Sequence, residues 1–205
     1  TATVSTGETH GLLNYENVYM NVISGLTTTV TVKYNDYNRR LVVDPKSFTA
    51  AGVNTTTNAF TINDHGYKTG DKIIHTASTP AGGLEDNGIY YIVKVDSNTF
   101  KLSKTDYDAK ESKPDVIGIT STSGGTISPI SPSIKVYKNS TVEFDLSDAS
   151  LGYVAQSTNY PAFVLNFYSD KNLTKKWDTS PLSETFNVTR NGTPGVSTDA
   201  KVSLA

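Results

Sequence analysis

The chain reads as all-β, and three observations predict it. Phe60 and Ile62 alternate with Thr61 and Asn63, a period of two with one buried face. Gly88-Ile89-Tyr90-Tyr91-Ile92-Val93-Lys94-Val95 is the strongest run of strand-forming residues in the 205. Twelve Tyr, abundant Thr and Ser, and a single Met accompany these runs, and no window carries a sustained 3.6-residue apolar stripe. Helix is therefore expected to be minor. The predicted architecture is a set of small antiparallel β modules in series: two related N-terminal units, then a C-terminal β-sandwich.

The second unit, residues 48–104, organises the rest. After the strand at Phe60, Asp64-His65-Gly66 makes a corner, because Gly66 can take a positive φ and Asp64 can close an Asx turn. Thr69-Gly70-Asp71 breaks the chain again before the β-branched run Lys72-Ile73-Ile74-His75. A loop with Pro80, Gly82 and Gly83 leads to the Gly88–Val95 strand. Asp96-Ser97-Asn98 then turns the chain, and Thr99-Phe100-Lys101-Leu102 returns antiparallel.

Residues 1–47 read as a degenerate first copy of this unit. Thr9-His10-Gly11-Leu12 precedes Asp64-His65-Gly66-Tyr67 by 55 positions (65 − 10), and Asn17–Met20 precedes Lys72–His75 at the same spacing. Val32–Leu41 parallels Val93–Leu102. Recurrence of His10-Gly11 at the place of His65-Gly66 assigns both pairs a turn-forming structural role, shared by Gly70 and Asp71.

Residues 105–132 begin charged and continue rich in Gly, Ser, Thr and Pro, which predicts an extended linker with one strand at Val116–Ile119. Residues 133–205 predict the sandwich. Ser133–Tyr137 and Thr141–Leu146 alternate, and Ala162–Tyr168, the most apolar run, is expected centrally between two sheets. Trp177 follows a turn at Ser169 to Asn172. Phe186–Val188 and Val196–Leu204 offer edge strands around a hairpin-type turn at Arg190-Asn191-Gly192.

Composition narrows the function. A net charge of −2 with dispersed basic residues disfavours nucleic acid. The absence of Cys excludes disulfides and thiolate chemistry. No apolar run reaches the roughly 18–20 residues of a membrane span, and no signal peptide is visible. The start TATVSTG, strand-like and without Met, fits a piece of a longer protein better than a processed end.

The His-Gly-x-x-x-Gly-Asp turn (His65–Asp71), the Ile73-Ile74 strand, the Gly82-Gly83-Leu84 loop and the Gly88–Val93 hairpin ending in Thr99-Phe100 together resemble a module of bacteriophage virion proteins. The resemblance is to repeated domains of tail, baseplate and fibre-associated proteins, including those of phages of marine bacteria. It covers about a quarter of the chain, and about half with the first copy, in which Asn14-Tyr15-Glu16 replaces the Thr-Gly-Asp turn. It implies a virion location, other virion subunits as partners, and a non-enzymatic structural role. The last part is similar, more weakly, to sandwich domains accompanying such modules, some of them cupredoxin-like. A cupredoxin copper site needs two His and a Cys, and from residue 133 onward the chain has no His, Cys or Met.

The other constellations favour bland readings. His65 and His75 with Asp64 and Asp71 could be drawn as a metal site, but a His beside a turn glycine ordinarily satisfies backbone. Asp64, Asp71, Glu85 and Asp86 flank glycines, as acidic turn residues commonly do. No nucleophile elbow and no phosphate-binding loop are present, so no catalytic residue, metal or cofactor is expected. Tyr34, Tyr37, Tyr90, Tyr91 and Trp177 are candidates for an aromatic sugar platform. Alternation puts one ring of Tyr90-Tyr91 inward, leaving Tyr91 and Trp177 as the glycan or partner contacts. The alternative function is thus a glycan-binding or adhesin module, extracellular or on a cell surface. Exposed strand edges also open a route to homo-oligomers.

Overall fold

The computed structural model describes residues 26–132, 134, 140–168, 170, 172–176 and 187–205. In chain order its strands are β1 (Thr27–Asn35), β2 (Arg40–Val43), β3 (Lys46–Phe48), β4 (Val53–Asn54), β5 (Ala59–Thr61), β6 (Lys72–Thr76), β7 (Gly88–Lys94) and β8 (Thr99–Ser103). A short helix α1 (Asp106–Lys110) intervenes. The remaining strands are β9 (Gly125–Pro129), β10 (Thr141–Asp145), β11 (Gly152–Ala155), β12 (Thr158–Pro161), β13 (Val188–Asn191) and β14 (Lys201–Leu204). The all-β expectation holds.

Seven strands form one sheet in the order β3-β9-β6-β7-β8-β5-β4. Its pairings are antiparallel, and Phe60, Ile73, Ile92, Phe100 and Ile127 fill the core without exposure. The β5, β6, β7 and β8 runs stand where the alternation puts them, joined by the expected corners. Gly66 and Gly70 adopt φ of +73° and +89°, the conformations that only glycine takes cheaply. The expected four-stranded unit is therefore the middle of a larger sheet.

The extra strand that matters most comes from the stretch read as a linker. β9 lies between β3 and β6, with Ile127 fully buried and Ser128 against Ile74. Five residues with one large apolar side chain suffice, because two flanking strands supply the backbone hydrogen bonds. Ahead of it, Thr105 caps α1 by accepting from the Asp108 N–H at 3.0 Å, and α1 rests on β7 and β8. Val116–Ile119 is not a strand, although Ile119 is buried and Ile117 packs on the same core.

A second sheet runs β13-β14-β10-β1-β2. β1 pairs in parallel with β10 from Thr27↔Thr141 to Thr31↔Asp145, then antiparallel with β2 from Val32↔Val43 onward. So residues 27–43 do not close a first module of their own. They join strands from the last third of the chain, and the seven-stranded sheet is built from the residues between β2 and β10. Parallel neighbours require a long crossover, and here that crossover is a whole sheet. The core combines Val30 and Val32 with Val142, Phe144, Leu146, Val202 and Leu204.

Two further expectations concern this sheet. Along Ala162–Tyr168, Phe163, Leu165 and Phe167 pack on that core and Val164 is 70% exposed, and among the described residues the run's one bridge joins Tyr168 to Lys176. Its rings reach the middle of the sheet, Phe163 against Tyr34 on β1 and Phe167 against Phe144 on β10. β14 lies inside the sheet, between β13 and β10, so of those two strands only β13 is at an edge among the described strands. A separate hairpin, β11–β12, was not foreseen; its two-residue turn, Gln156-Ser157, takes φ of +49° and +62°. Non-glycine residues with positive φ at both positions match the turn that suits hairpin twist.

Candidate functional site

The most constrained side chains sit at the corners of the seven-stranded sheet. His65 is buried, and both ring nitrogens are engaged by backbone. The Tyr67 N–H donates to Nδ1 at 2.9 Å, which leaves the proton on Nε2 to donate to the Asp96 carbonyl at 3.1 Å. The ring thereby ties its own corner to the β7–β8 turn. It stacks on Tyr67 with centroids 4.9 Å apart and meets Phe100 edge-on at 5.3 Å. Burial pushes its pKa below the usual histidine value, helped by the Lys94 and Lys46 ammoniums and opposed by the backbone of Thr99 and Asp96.

His75 is fully buried on β6. Its Nδ1 lies 3.1 Å from the Glu85 carbonyl and donates to it, fastening the β6–β7 loop. Its Nε2 is buried and has no hydrogen-bond partner among the described residues. The ring lies 5.9 Å from that of Phe48, and Gly125 passes so closely that a Cβ there would sit 2.7 Å from Nε2. Burial lowers this pKa too, against the Glu85 carbonyl and the Asp86 charge.

Two of the four carboxylates weighed from sequence are also tied to backbone. Asp71 Oδ2 accepts from the Lys68 N–H at 2.7 Å, and Asp86 Oδ1 accepts from the Ala77 N–H at 2.9 Å. Asp96 is held below the ordinary carboxylate range, first by the Asn98 N–H and, against desolvation, by Thr99. Among the described residues no three His, Cys, Asp or Glu gather as a metal would require. Gly66, Gly70 and Asp71 stand at the corners assigned to them; His10, Gly11 and Trp177 lie outside the described residues.

The aromatic candidates divide. Tyr90 is buried, its hydroxyl accepting from the Glu85 N–H at 2.8 Å. Tyr91 is half-buried beside its cross-strand neighbour Lys72, whose ammonium lies 5.9 Å from the ring centroid. Tyr34 packs on Phe163, and Tyr37 is exposed in the β1–β2 turn. These rings do not share a surface strand pair.

The most exposed aromatic pair is one that sequence reasoning passed over. Tyr153 and Tyr160 face each other across β11–β12 with centroids 5.5 Å apart and planes 24° from parallel. They are 54% and 41% exposed, and Val154 between them in sequence is 70% exposed. Among the described strands, this hairpin pairs with neither larger sheet. The signal available was Gly152-Tyr153-Val154 and Asn159-Tyr160, two short aromatic runs around a polar pair.

The chain matches no protein-family model, no curated protein and no solved structure.

Proposed function

We propose that the chain is a non-enzymatic structural component of a phage particle, in the tail, baseplate or fibre attachment region, acting by docking on neighbouring subunits. The observation that carries the docking is the β11–β12 hairpin, a ribbon that pairs with no other described strand and presents Tyr153, Val154 and Tyr160 to solvent. Aromatic side chains on a small rigid support give large contact area at low conformational cost. Open strand edges add backbone hydrogen-bonding capacity, and repeated weak contacts sum through multivalency. The virion setting is supported by the resemblance of His65–Asp71 and the strands around it to virion modules. Mass spectrometry of purified particles tests it directly: the polypeptide is expected at a fixed stoichiometry, and particles without it refute the reading.

A second reading, a glycan-binding module at a cell surface or in a secreted protein, draws on the same stacked pair. Tyrosine faces are the usual support for sugar rings. A glycan array hit that Tyr153→Ala and Tyr160→Ala abolish favours it over subunit docking, as does loss with Tyr91→Ala or Trp177→Ala.

A further inference from the structure

We propose that the seven-stranded sheet carries an acid-operated latch, in which protonation of His65 and His75 unfastens the loops their rings hold while the five-stranded sheet stays closed. The inference is independent of the particle reading.

Geometry carries it. His65 can accept from the Tyr67 N–H only while Nδ1 holds a lone pair. A proton added there sets two N–H groups against each other at 2.9 Å and releases the Tyr67 amide. The ring must then swing, which also breaks the Nε2–H contact with Asp96. At His75 the added proton goes on Nε2, since Nδ1–H is used on Glu85. That nitrogen is buried beside Phe48 and Gly125 with no acceptor among the described residues, so the new charge has nothing to pair with. Both histidines therefore belong to a folded state that holds only their neutral forms.

The surrounding charges do not offset this. Around His65 stand Lys46 on β3, whose ammonium contacts the His65 carbonyl at 3.0 Å, Lys94 on β7, and Asp96, whose exposed carboxylate favours a charged ring but already accepts from the Asn98 and Thr99 amides. Asp64 precedes His65 in the same corner, and Tyr67, stacked on the ring, is neutral in this range. Around His75 stand Asp86, which accepts from Ala77 and Asn87, and Glu85 and Tyr90, which meet the loop through backbone and hydroxyl. The Glu85 carbonyl and the Asp86 charge favour the charged ring, but the carbonyl is already met by Nδ1–H and Asp86 is exposed.

The sign follows from linkage. In the open state each ring titrates near 6.5, whereas the closed state binds the proton only at lower pH. Stability is thus complete above pH 6.5 and is lost as pH falls from there toward the folded values. Each histidine shifts the opening equilibrium by up to tenfold per pH unit, and the two together by up to about a hundredfold. Among the described residues the strands of the five-stranded sheet carry no histidine, so they lack this dependence.

Hydrogen-exchange mass spectrometry of the full chain at pH 7.5, 6.5, 5.5 and 4.5, corrected for intrinsic exchange rates, separates the two sheets. Peptides from β6 to β8 are expected to lose protection progressively below pH 6.5, ahead of peptides from β10 and β14. His65→Asn with His75→Asn supplies an uncharged acceptor and donor at the two places and is expected to flatten the difference. Loss of both sheets together, or the same profile in wild type and double variant, overturns the latch. Should the double variant not fold, proton NMR of the wild-type rings decides, with the His10 signal assigned by His10→Gln. Ring signals that stay neutral until the β6–β8 amides change support the latch; an ordinary titration near 6.5 with those amides unmoved overturns it.

Discussion

Deleting a hydroxyl from Tyr67 and from Tyr90 should shift stability in opposite directions. Both rings are buried in the same core, Tyr67 at 4% and Tyr90 at 6% exposure, so each Tyr→Phe change keeps the packing and removes one oxygen. The Tyr67 hydroxyl is buried without a hydrogen-bond partner among the described residues. Burial, followed by the Asp44 and Asp71 charges, pushes its pKa far above the usual tyrosine value, so it stays neutral and merely desolvated. An unsatisfied buried polar group costs about 1–3 kcal/mol, so Tyr67→Phe is expected to stabilise by about 1–2 kcal/mol. The Tyr90 hydroxyl accepts from the Glu85 N–H at 2.8 Å, at the root of the loop His75 also holds. Tyr90→Phe orphans that amide and is expected to destabilise by about 1–2 kcal/mol. Urea unfolding at pH 8, where both histidines are neutral, reads the difference as a separation of about 2–4 kcal/mol between the two variants. Changes of the same sign, or a Tyr67→Phe protein weaker than wild type by 1 kcal/mol, as an order of magnitude, would show that the hydroxyl has a partner in solution and that this core is wrongly accounted for.

Other changes test particular contacts. Ile127→Ala on β9 is expected to cost about 2–5 kcal/mol in urea unfolding, where an extended linker would lose almost nothing. Gly125→Ala puts a Cβ 2.7 Å from His75 Nε2 and 3.0 Å from the Thr76 carbonyl oxygen, and is expected to cost about 1–3 kcal/mol by the same measurement. Gly66→Ala meets no atom within 4 Å, so its expected cost of about 1–2 kcal/mol comes from the positive φ alone. Gly66→Asn should recover part of it, because Asn tolerates that conformation.

How much was legible in the sequence depended on whether a residue's role was local. β5, β6, β7 and β8 could be found because each carries an alternating, β-branched or aromatic run, and the chain between β5 and β6 carries Gly66 and Gly70 where a positive φ is required. β9 could not, because Gly-Thr-Ile-Ser-Pro owes its strand conformation to Lys46–Phe48 on one side and Ile73–Thr76 on the other. The same holds for β1. Thr27–Asn35 alternates as any half-buried strand does, and nothing local reveals that its partner lies more than a hundred positions on, at Thr141. Alternation fixes which face is buried and is silent on the neighbour. Ala162–Tyr168 makes the same point: its apolar alternation puts Phe163, Leu165 and Phe167 on the core and is silent on what lies beside the run. At the site, burial of one ring of Tyr90-Tyr91 followed from period two. The unpaired Nε2 of His75 and the stacked Tyr153–Tyr160 pair depend on contacts between distant residues.

The account rests on the seven-stranded sheet being enclosed between strands from the two sides of the chain. A cysteine-free chain makes that directly measurable. Thr27→Cys with Thr141→Cys places two thiols on paired positions of β1 and β10, and Thr27→Cys with Thr61→Cys places the second thiol in the other sheet. Under mild oxidation, peptide mapping by mass spectrometry is expected to recover an intramolecular disulfide between positions 27 and 141 in most molecules of the first variant and little linkage in the second. No link in the first, or equal linking in both, would contradict the parallel β1–β10 pair and return the chain to modules in series.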